Sequence, residues 1–553
     1  MNTHPMNNVS ERKHIPAATW WAVGVFTLGF LLRMYACYHT YIINPDGILY
    51  IQQARAITDG KWNALVSCGL STVSIYPFLI SMLYPLTQNW LSAAIAVSLI
   101  SGTALLIPVY LTFRRFFDRH ISVLGLLVFA MMPFLIDMSA DVMRGSVAWL
   151  FLSIGLYLVV SEIQDGKKVF LPLAAICFLL AAWARIEIGV VYALTAGYLL
   201  VARNSRKWKR FLLFLMPAMV VTVGLLAIAH LSDYPVTKVS RIDDIQGRLT
   251  APVVEYGVLQ RRLDQLEVDI FENIDHSKVD PVDLRLRFFV QKAKNQIWLV
   301  ALGALLTNTY EAFHFPYFLI ALVGMYGLKG RMARSPATAY MIWVAFGAFI
   351  MLYANILATW MIHNRFIAIV IFPALVLIGF GIERLVSLVH ARWIPRRTIA
   401  IGTIGALIFV FGLYYAFEAR EQDKYVYREI AENIRSRNPE GHYVRVAGIS
   451  SPVLEWVGFY SNLEIAEWHC SRIFHLPRSP GDRFLEQVRE TSVDYLLFEE
   501  NLWRNKRWEI GSIENHPAFT LIGNWRHRDT GTIRLFRVLP IEPHAPSPEP
   551  RGE

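Results

Sequence analysis

The sequence predicts an α-helical polytopic membrane protein with a small α/β domain at its C-terminal end. Three observations predict it. First, 55% of the 553 residues are hydrophobic and only 17% are charged, against about 25% charged in a typical soluble protein. Second, the apolar residues gather into runs long enough to cross a bilayer. Third, from Glu418 onward the apolar segments become short and sit among polar residues, as in a soluble domain.

The net charge of +10 and the pI near 9.3 invite a reading as a nucleic-acid protein. The placement of the charge excludes it. Much of the charge lies in short loops between apolar runs: Arg114, Arg115 and Arg119; Lys167 and Lys168; Arg203, Arg206, Lys207, Lys209 and Arg210; Lys329, Arg331 and Arg334; Arg392, Arg396 and Arg397. Such clusters mark cytoplasmic loops, so the partner they imply is the lipid bilayer. Cys37, Cys68, Cys177 and Cys470 show no metal-ligand or paired spacing. Cys68 and Cys470 both fall on the expected outer side, which leaves a disulfide between them open.

The elements follow in order. Residues 1–16 are polar and carry Arg12 and Lys13, which places the N-terminus in the cytoplasm. Ala17 to Cys37 is span 1, a signal anchor with no small-residue cleavage pattern behind it. The first outer loop, 38–90, holds two amphipathic helices at the membrane surface, Ile48 to Ile57 and Tyr76 to Leu86. Pro85 and Thr87-Gln88-Asn89 separate the second helix from span 2 (Leu91 to Phe113). Spans 3 to 7 are Ile121 to Ile136, Ser146 to Val160, Phe170 to Ala184, Ile188 to Ala202 and Phe211 to Leu231.

An external stretch, 232–296, comes next, with helix-like segments such as Leu259 to Leu266. Ile297 to Leu328 is apolar but interrupted by polar residues. Its first half is expected to be a surface or re-entrant helix, with a crossing by Ile297 to Thr309 left open; Phe315 to Leu328 is span 8. Spans 9 to 11 are Ala337 to Leu357, Phe366 to Val389 and Thr398 to Phe417. About eleven spans bring residues 418–540 to the outer face. There Tyr427 to Arg437 and Asp482 to Thr491 read as helices. Tyr443 to Ile449, Val493 to Phe498, Phe519 to Trp525 and Thr532 to Val538 read as strands. The Pro-rich tail, 541–553, is expected to be disordered. There is no internal repeat of the kind that builds inverted-repeat transporters.

Several charges stand where membrane physics disfavours them. Asp46, in Asn44-Pro45-Asp46-Gly47, follows span 1 directly. A carboxylate there is a candidate general base, while Pro-Asp-Gly is equally a turn signal. Asp137, Asp141 and Arg144 lie between spans 3 and 4. Spans 5 and 6 have 15 residues each, about 22 Å of helix against a hydrocarbon core of ~30 Å. Arg185 and Glu187 between them should therefore lie recessed from the surface. Ionisable groups at that depth are functional candidates, or else pair with one another; Asp137 and Asp141 are the partners to weigh for such a pair. Arg365, with His363 and Asn364 beside it, opens span 10 on the outer side. A guanidinium there suits bidentate capture of a phosphate, with interfacial snorkelling as the alternative. Together these carboxylates and arginines suit a hydroxyl acceptor and a lipid-phosphate leaving group.

At these residues the chain resembles the GT-C class of integral-membrane glycosyltransferases. It is most like the branch holding protein O-mannosyltransferases and the lipid A aminoarabinose transferase. The resemblance covers most of residues 17–417. It rests on Asp46, Tyr50, Ala54 and Gly60, then Tyr76-Pro77 and Pro108-Val109-Tyr110. Pro133, Asp141-Val142-Met143-Arg144, Ala184-Arg185-Ile186-Glu187, Arg365-Phe366 and Pro373 complete it. The resemblance implies inverting transfer of one sugar from a polyprenyl-phosphate donor, here to a hydroxyl of a lipid, glycan or protein at the outer face; a bacterial inner membrane is the expected location, since the termini carry no eukaryotic retention signal. It implies Asp46 as base, with Asp141 as second acid. Arg144, Arg185, Glu187, Arg365, Tyr50, Tyr76 and His363 are then expected at the substrates. One position departs from the pattern: many relatives carry an acid directly after the arginine that opens the fourth span, and here Gly145 stands there. Asp141, one turn earlier, could replace it, which leaves a divalent metal bound through that acid open. A transporter or flippase, or a ligase or polymerase of lipid-linked saccharides, are the other classes in view.

Overall fold

The computed structural model describes residues 17–67, 73–202, 206–231, 281–417, 420–439, 441–465, 492–501 and 513–539, with the single positions 265, 474, 475 and 488. Cys68, Cys470, the N-terminal residues 1–16, the tail 541–553 and, but for Gln265 and Val488, the expected helices at 259–266 and 482–491 lie outside the described residues.

The first part is helical. α1 (Ala17–Tyr38) is followed by α2 (Pro45–Thr58), α3 (Trp62–Ser67) and α4 (Ile75–Thr87). α5 (Trp90–Ala104) and α6 (Leu106–Phe116) form one long span. They part at Leu105 because Pro108 has no N–H to give the carbonyl of Ala104. α7 (Arg119–Met131) and α8 (Pro133–Ala140) are bent by 53° at Met132. α9 (Gly145–Asp165), α10 (Phe170–Ala184), α11 (Gly189–Val201) and α12 (Lys207–Leu231) follow. After the undescribed stretch come α13 (Pro281–Phe313), α14 (Phe315–Gly324), α15 (Leu328–Arg334) and α16 (Pro336–Thr359). α17 (Asn364–Ile371) and α18 (Leu375–Arg392) are bent by 69°, and α19 (Arg397–Ala416) ends the helical part.

Among the described residues six helices are long and apolar enough to cross a membrane, or up to eight if each bent pair is one span. The short apolar helices 170–184, 186–201 and 315–324 fall where the sequence predicts spans 5, 6 and 8. Two expectations need correction. Spans 3 and 10 are not continuous helices, because Pro133 and Pro373 interrupt their ladders. Residues 297–309 are not a separate surface or re-entrant helix. They belong to α13, whose 33 residues also absorb the end of the expected external stretch. Arg285, Lys292 and Lys294 are good helix formers and nothing breaks the run.

Both breaks serve the geometry. Trp149 of α9 is buried between them, with ring centroids 5.0 Å from Phe134 and 6.2 Å from Phe372. The break at Met132 frees carbonyls of α7, and Arg33 of α1 answers one: it is fully buried and donates to Ala130 O at 3.2 Å and Gly29 O at 2.9 Å. Sequence reading passed over this intramembrane arginine. α14 and α18 touch backbone to backbone. A Cβ on Gly324 would lie 1.9 Å from Leu377 O, and one on Gly381 1.9 Å from Ile320 O, the small-residue packing that membrane helices use.

The basic loops gather at one end of the bundle. Arg115 pairs with Asp165 at 2.9 Å and Arg397 with Asp118 at 2.7 Å, tying three loops together. The charges singled out above lie at the other end.

After α19 the chain builds an α/β unit. It contains α20 (Tyr425–Ser436), β1 (Val446–Gly448), α21 (Ser451–Ser461), β2 (Phe474–His475), β3 (Tyr495–Glu499), β4 (Phe519–His527) and β5 (Gly531–Val538). The sheet order is β2-β1-β3-β5-β4; β2, β1 and β3 run parallel, and β5 is antiparallel to both its neighbours. One apolar cluster runs from α2, α4 and α5 into α20, α21 and the sheet. The unit is therefore fused to the first loop through a shared core.

Candidate active site

Four separated stretches meet at the end of the bundle opposite the basic loops. The first is the start of α2. Pro45 takes the first helical position, where a missing N–H costs nothing. Asn44 caps the helix, its Oδ1 accepting from Asp46 N at 3.0 Å. Pro-Asp-Gly is thus a helix start and not a reverse turn, and Asp46 stands in the first turn, where the helix dipole favours a carboxylate. Gly47 lets this turn approach Val142: a Cβ there would lie 2.8 Å from both the Val142 carbonyl oxygen and its Cβ.

The second stretch is the α8–α9 connection. Asp141 Oδ1 accepts from Asn44 N at 3.0 Å and from Val142 N at 2.7 Å, so Asp141 ties the segment before Asp46 to the bundle. Burial pushes its carboxyl up to about 6, against the lowering effect of those two N–H groups. Arg144 lies over the Tyr50 ring, 5.6 Å from its centroid. No ion pair engages Arg144 among the described residues.

The third stretch follows α10. Arg185 is buried and forms an ion pair with Glu187, two residues on, rather than with Asp137 or Asp141. Asp137 instead accepts from Arg420 Nε at 2.6 Å. The fourth stretch precedes and opens α17. Arg365 Nη1 lies 3.1 Å from Asp46 Oδ2. Arg365 and Arg185 share the Phe366 ring, at 5.6 and 5.5 Å from its centroid. His363 is exposed; desolvation first, then the charges of Arg365 and Arg185, lower its pKa.

Tyr76 takes a different place from the other expected site residues. It is fully buried, its hydroxyl donating to Ala94 O at 2.9 Å and meeting Ser98 Oγ at 2.7 Å. It reaches the site only by bracing Tyr50 edge-on, at 5.4 Å.

Sequence reading missed the contribution of α21. Trp456 Nε1 donates to Ile43 O at 2.8 Å, and Ile43 N donates to Tyr460 Oη at 3.1 Å. Both polar groups of the residue before Asn44 are thus held by the C-terminal unit. Glu455, on the same helix, is half-buried, and its carboxyl is raised by that burial and by the charge of Asp46. No local pattern in 451–461 signals this; it follows only from how α21 packs on α2.

The residues at Asp46 do not form a metal-binding set among the described residues. The one cluster of three ligand-type side chains there is Asp423, His527 and Asp529, in the C-terminal unit. His527 Nδ1 accepts from Asp529 N at 3.3 Å, and its Nε2 lies 3.8 Å from Asp423 Oδ2. His527 Nε2 is buried without a hydrogen-bond partner, so these three side chains are the residues that could hold a cation, away from Asp46.

The fold is that of the GT-C class of polytopic membrane glycosyltransferases. Residues 71–231 match the family model of dolichyl-phosphate-mannose-protein mannosyltransferases. The Archaeoglobus fulgidus oligosaccharyltransferase, solved with zinc and sulfate, superposes with a TM-score of 0.58 at 14% identity, over 93% of this chain and 72% of that one. ArnT from Cupriavidus metallidurans superposes in its apo state with a TM-score of 0.53 at 12% identity, over 95% of this chain and 99% of that one. The same enzyme bound to undecaprenyl phosphate gives 0.54 at 11% identity, over 94% and 98%. At these identities the likeness is one of fold. No curated protein matches the sequence.

Proposed function

We propose that the chain is an inverting glycosyltransferase that moves one sugar from a polyprenyl-phosphate donor to a hydroxyl acceptor at the outer face of a membrane. The observation that carries the reading is the 3.1 Å contact between Asp46 and Arg365, 319 residues apart in the chain. It sets a carboxylate base beside a cation suited to phosphate. The fold supports the donor class, since ArnT of the same fold binds undecaprenyl phosphate.

In the proposed step Asp46 takes the proton of the acceptor hydroxyl as its oxygen attacks the anomeric carbon. The bond from that carbon to the phosphate oxygen breaks, and its electron pair leaves with the polyprenyl phosphate. Attack from the face opposite the leaving group inverts the anomeric centre. Arg365, Arg144 and Arg185 stabilise the charge growing on the phosphate. Glu187 fixes Arg185, Tyr50 carries Arg144, and His363 lines the same rim. Asp141 acts by holding Asn44, and through it the start of α2.

The test is transfer of labelled monosaccharide from a purified polyprenyl-phosphate sugar to envelope acceptors by the purified protein, beside Asp46→Asn. Transfer by the native protein and loss in the variant support the reading. Movement of intact donor across a vesicle without transfer would establish a flippase instead. Transfer of a preassembled glycan in one step would establish a ligase or polymerase.

A further inference from the structure

A cavity of about 750 Å3 lies between α8, the α13–α14 junction, α17 and the end of α19. Asn364 lines it, while Arg365, the next residue, points to Asp46. Cavity and candidate base are thus linked through the first turn of α17 and the length of the Arg365 side chain. Its volume is that of a small-molecule site.

The walls have two characters. Toward α19 and α14 they are aromatic and open: Tyr414 is 80% exposed, Phe315 57% and Phe411 49%. These residues sit at helix ends in a membrane bundle, so the opening faces the bilayer at the level of its interface. Toward the inside the lining is polar and unsatisfied. Asn364 Oδ1 is buried with no hydrogen-bond partner, and His314 stands beside it against the backbone of Phe411. An orphaned buried polar atom is costly and calls for a partner. His314 also holds a positive φ of 65°, strain that a non-glycine residue keeps only where the surroundings impose it.

The charge selects the occupant. Arg420 is engaged by Asp137, and Glu311 adds a carboxylate with no cation partner among the described residues. A phosphate would meet net negative charge here, whereas Arg144 and Arg185 lie about Tyr50 and Phe366, among residues that do not line this cavity. A hydroxyl- or amine-bearing headgroup fits: it donates to Glu311 and Asn364 Oδ1, while its chains leave along the aromatic wall.

We propose that this cavity receives the acceptor and that the acceptor is an amphipathic lipid with a hydroxyl-bearing headgroup, entering sideways from the outer leaflet. The inference rests on the glycosyltransferase reading and narrows its acceptor. It divides the two lipid substrates between opposite sides of α17, the donor phosphate on the Phe366 side and the acceptor head on the Asn364 side.

The experiment uses the full-length protein in lipid nanodiscs, labelled polyprenyl-phosphate sugar and washed envelopes from the cells that carry the gene. Label is followed into solvent-extracted lipid, protein and water-soluble glycan. The lipid extract then serves as acceptor for kinetics on the native protein, Glu311→Gln and Tyr414→Ser. Both substituted side chains are exposed, so the fold is not at stake. The expected result is label in lipid, with the apparent KM for the extract raised about threefold or more by each variant, the scale of one lost contact, and the donor KM unchanged. Label in protein or glycan overturns the proposal. So does a rise in donor KM instead, which would give the cavity to the donor chain, and so do unchanged kinetics in both variants. Asp46→Asn run in parallel separates the two levels: if it transfers like the native protein, the base assignment fails, whatever the cavity variants do.

Discussion

Arg365 Nη1 donates to Asp46 Oδ2 across 3.1 Å, with side chains 30% and 45% exposed. An ion pair that open is worth about 0–1 kcal/mol, so stability does not explain it. The Nε of Arg365 is buried without a partner. The guanidinium thus holds the carboxylate with one corner and keeps donor capacity for a second anion.

The first prediction is that Asp46→Asn lowers transfer about 100-fold or more, the usual scale of a general base. Asparagine retains the size of the side chain, so yield and thermal stability should stay near native. A transfer rate equal to that of the native protein would remove Asp46 from the chemistry.

Arg365→Lys keeps a charge but loses the planar fork. Both it and Arg365→Ala should weaken donor binding, measured by equilibrium titration with the polyprenyl-phosphate sugar, and slow its turnover. Native kinetics in the two variants alike would leave Arg365 as an interfacial snorkelling residue.

Trp456→Phe and Tyr460→Phe each remove one hydrogen bond to Ile43 and keep an aromatic ring. If those bonds position Asp46, kcat should fall about three- to tenfold, the worth of one hydrogen bond. In an Asp46→Asn background the same changes should have little further effect, because residues acting as a unit are not additive. Full additivity would mean that α21 serves stability alone.

Burial lifts the Asp141 carboxyl from its ordinary 3.8 to about 6. Between those values the folded state holds a proton that the unfolded chain has released. The contribution of this group to stability is therefore present at low pH, is lost as pH rises toward about 6, and is level above. Asp141→Asn can still accept the N–H groups of Asn44 and Val142 but does not titrate. Thermal melts of the native protein should lose stability relative to the variant between about pH 4 and 6. Parallel melting curves across that range would contradict the assignment.

Orientation is open to a direct check. With the basic loops in the cytoplasm, reporters fused after Lys168 and after Arg420 should report opposite compartments. If both report the cytoplasm, the outer-face placement of Asp46 falls.

The sequence by itself determined the class of fold. Hydropathy marks spans because lipid forces every crossing segment to satisfy its own backbone, so each span is a local, readable property. Alternating segments after Glu418 announced the sheet for the same reason. Asp46, Asp141, Arg144, Arg185 and Arg365 stand out in the sequence as candidates because charge at a membrane end is costly and contrasts with its neighbours.

Tertiary structure alone decided what those charges touch. That Asp137 belongs to Arg420 and that Arg365 belongs to Asp46 depends on the bends at Met132 and Pro373, which re-aim whole helices. That Trp456 and Tyr460 hold Ile43 depends on a core shared by segments some 400 residues apart. Neither leaves a local signal, because a hydrogen bond is set by where two backbones meet in space, and composition records only what each segment can bury.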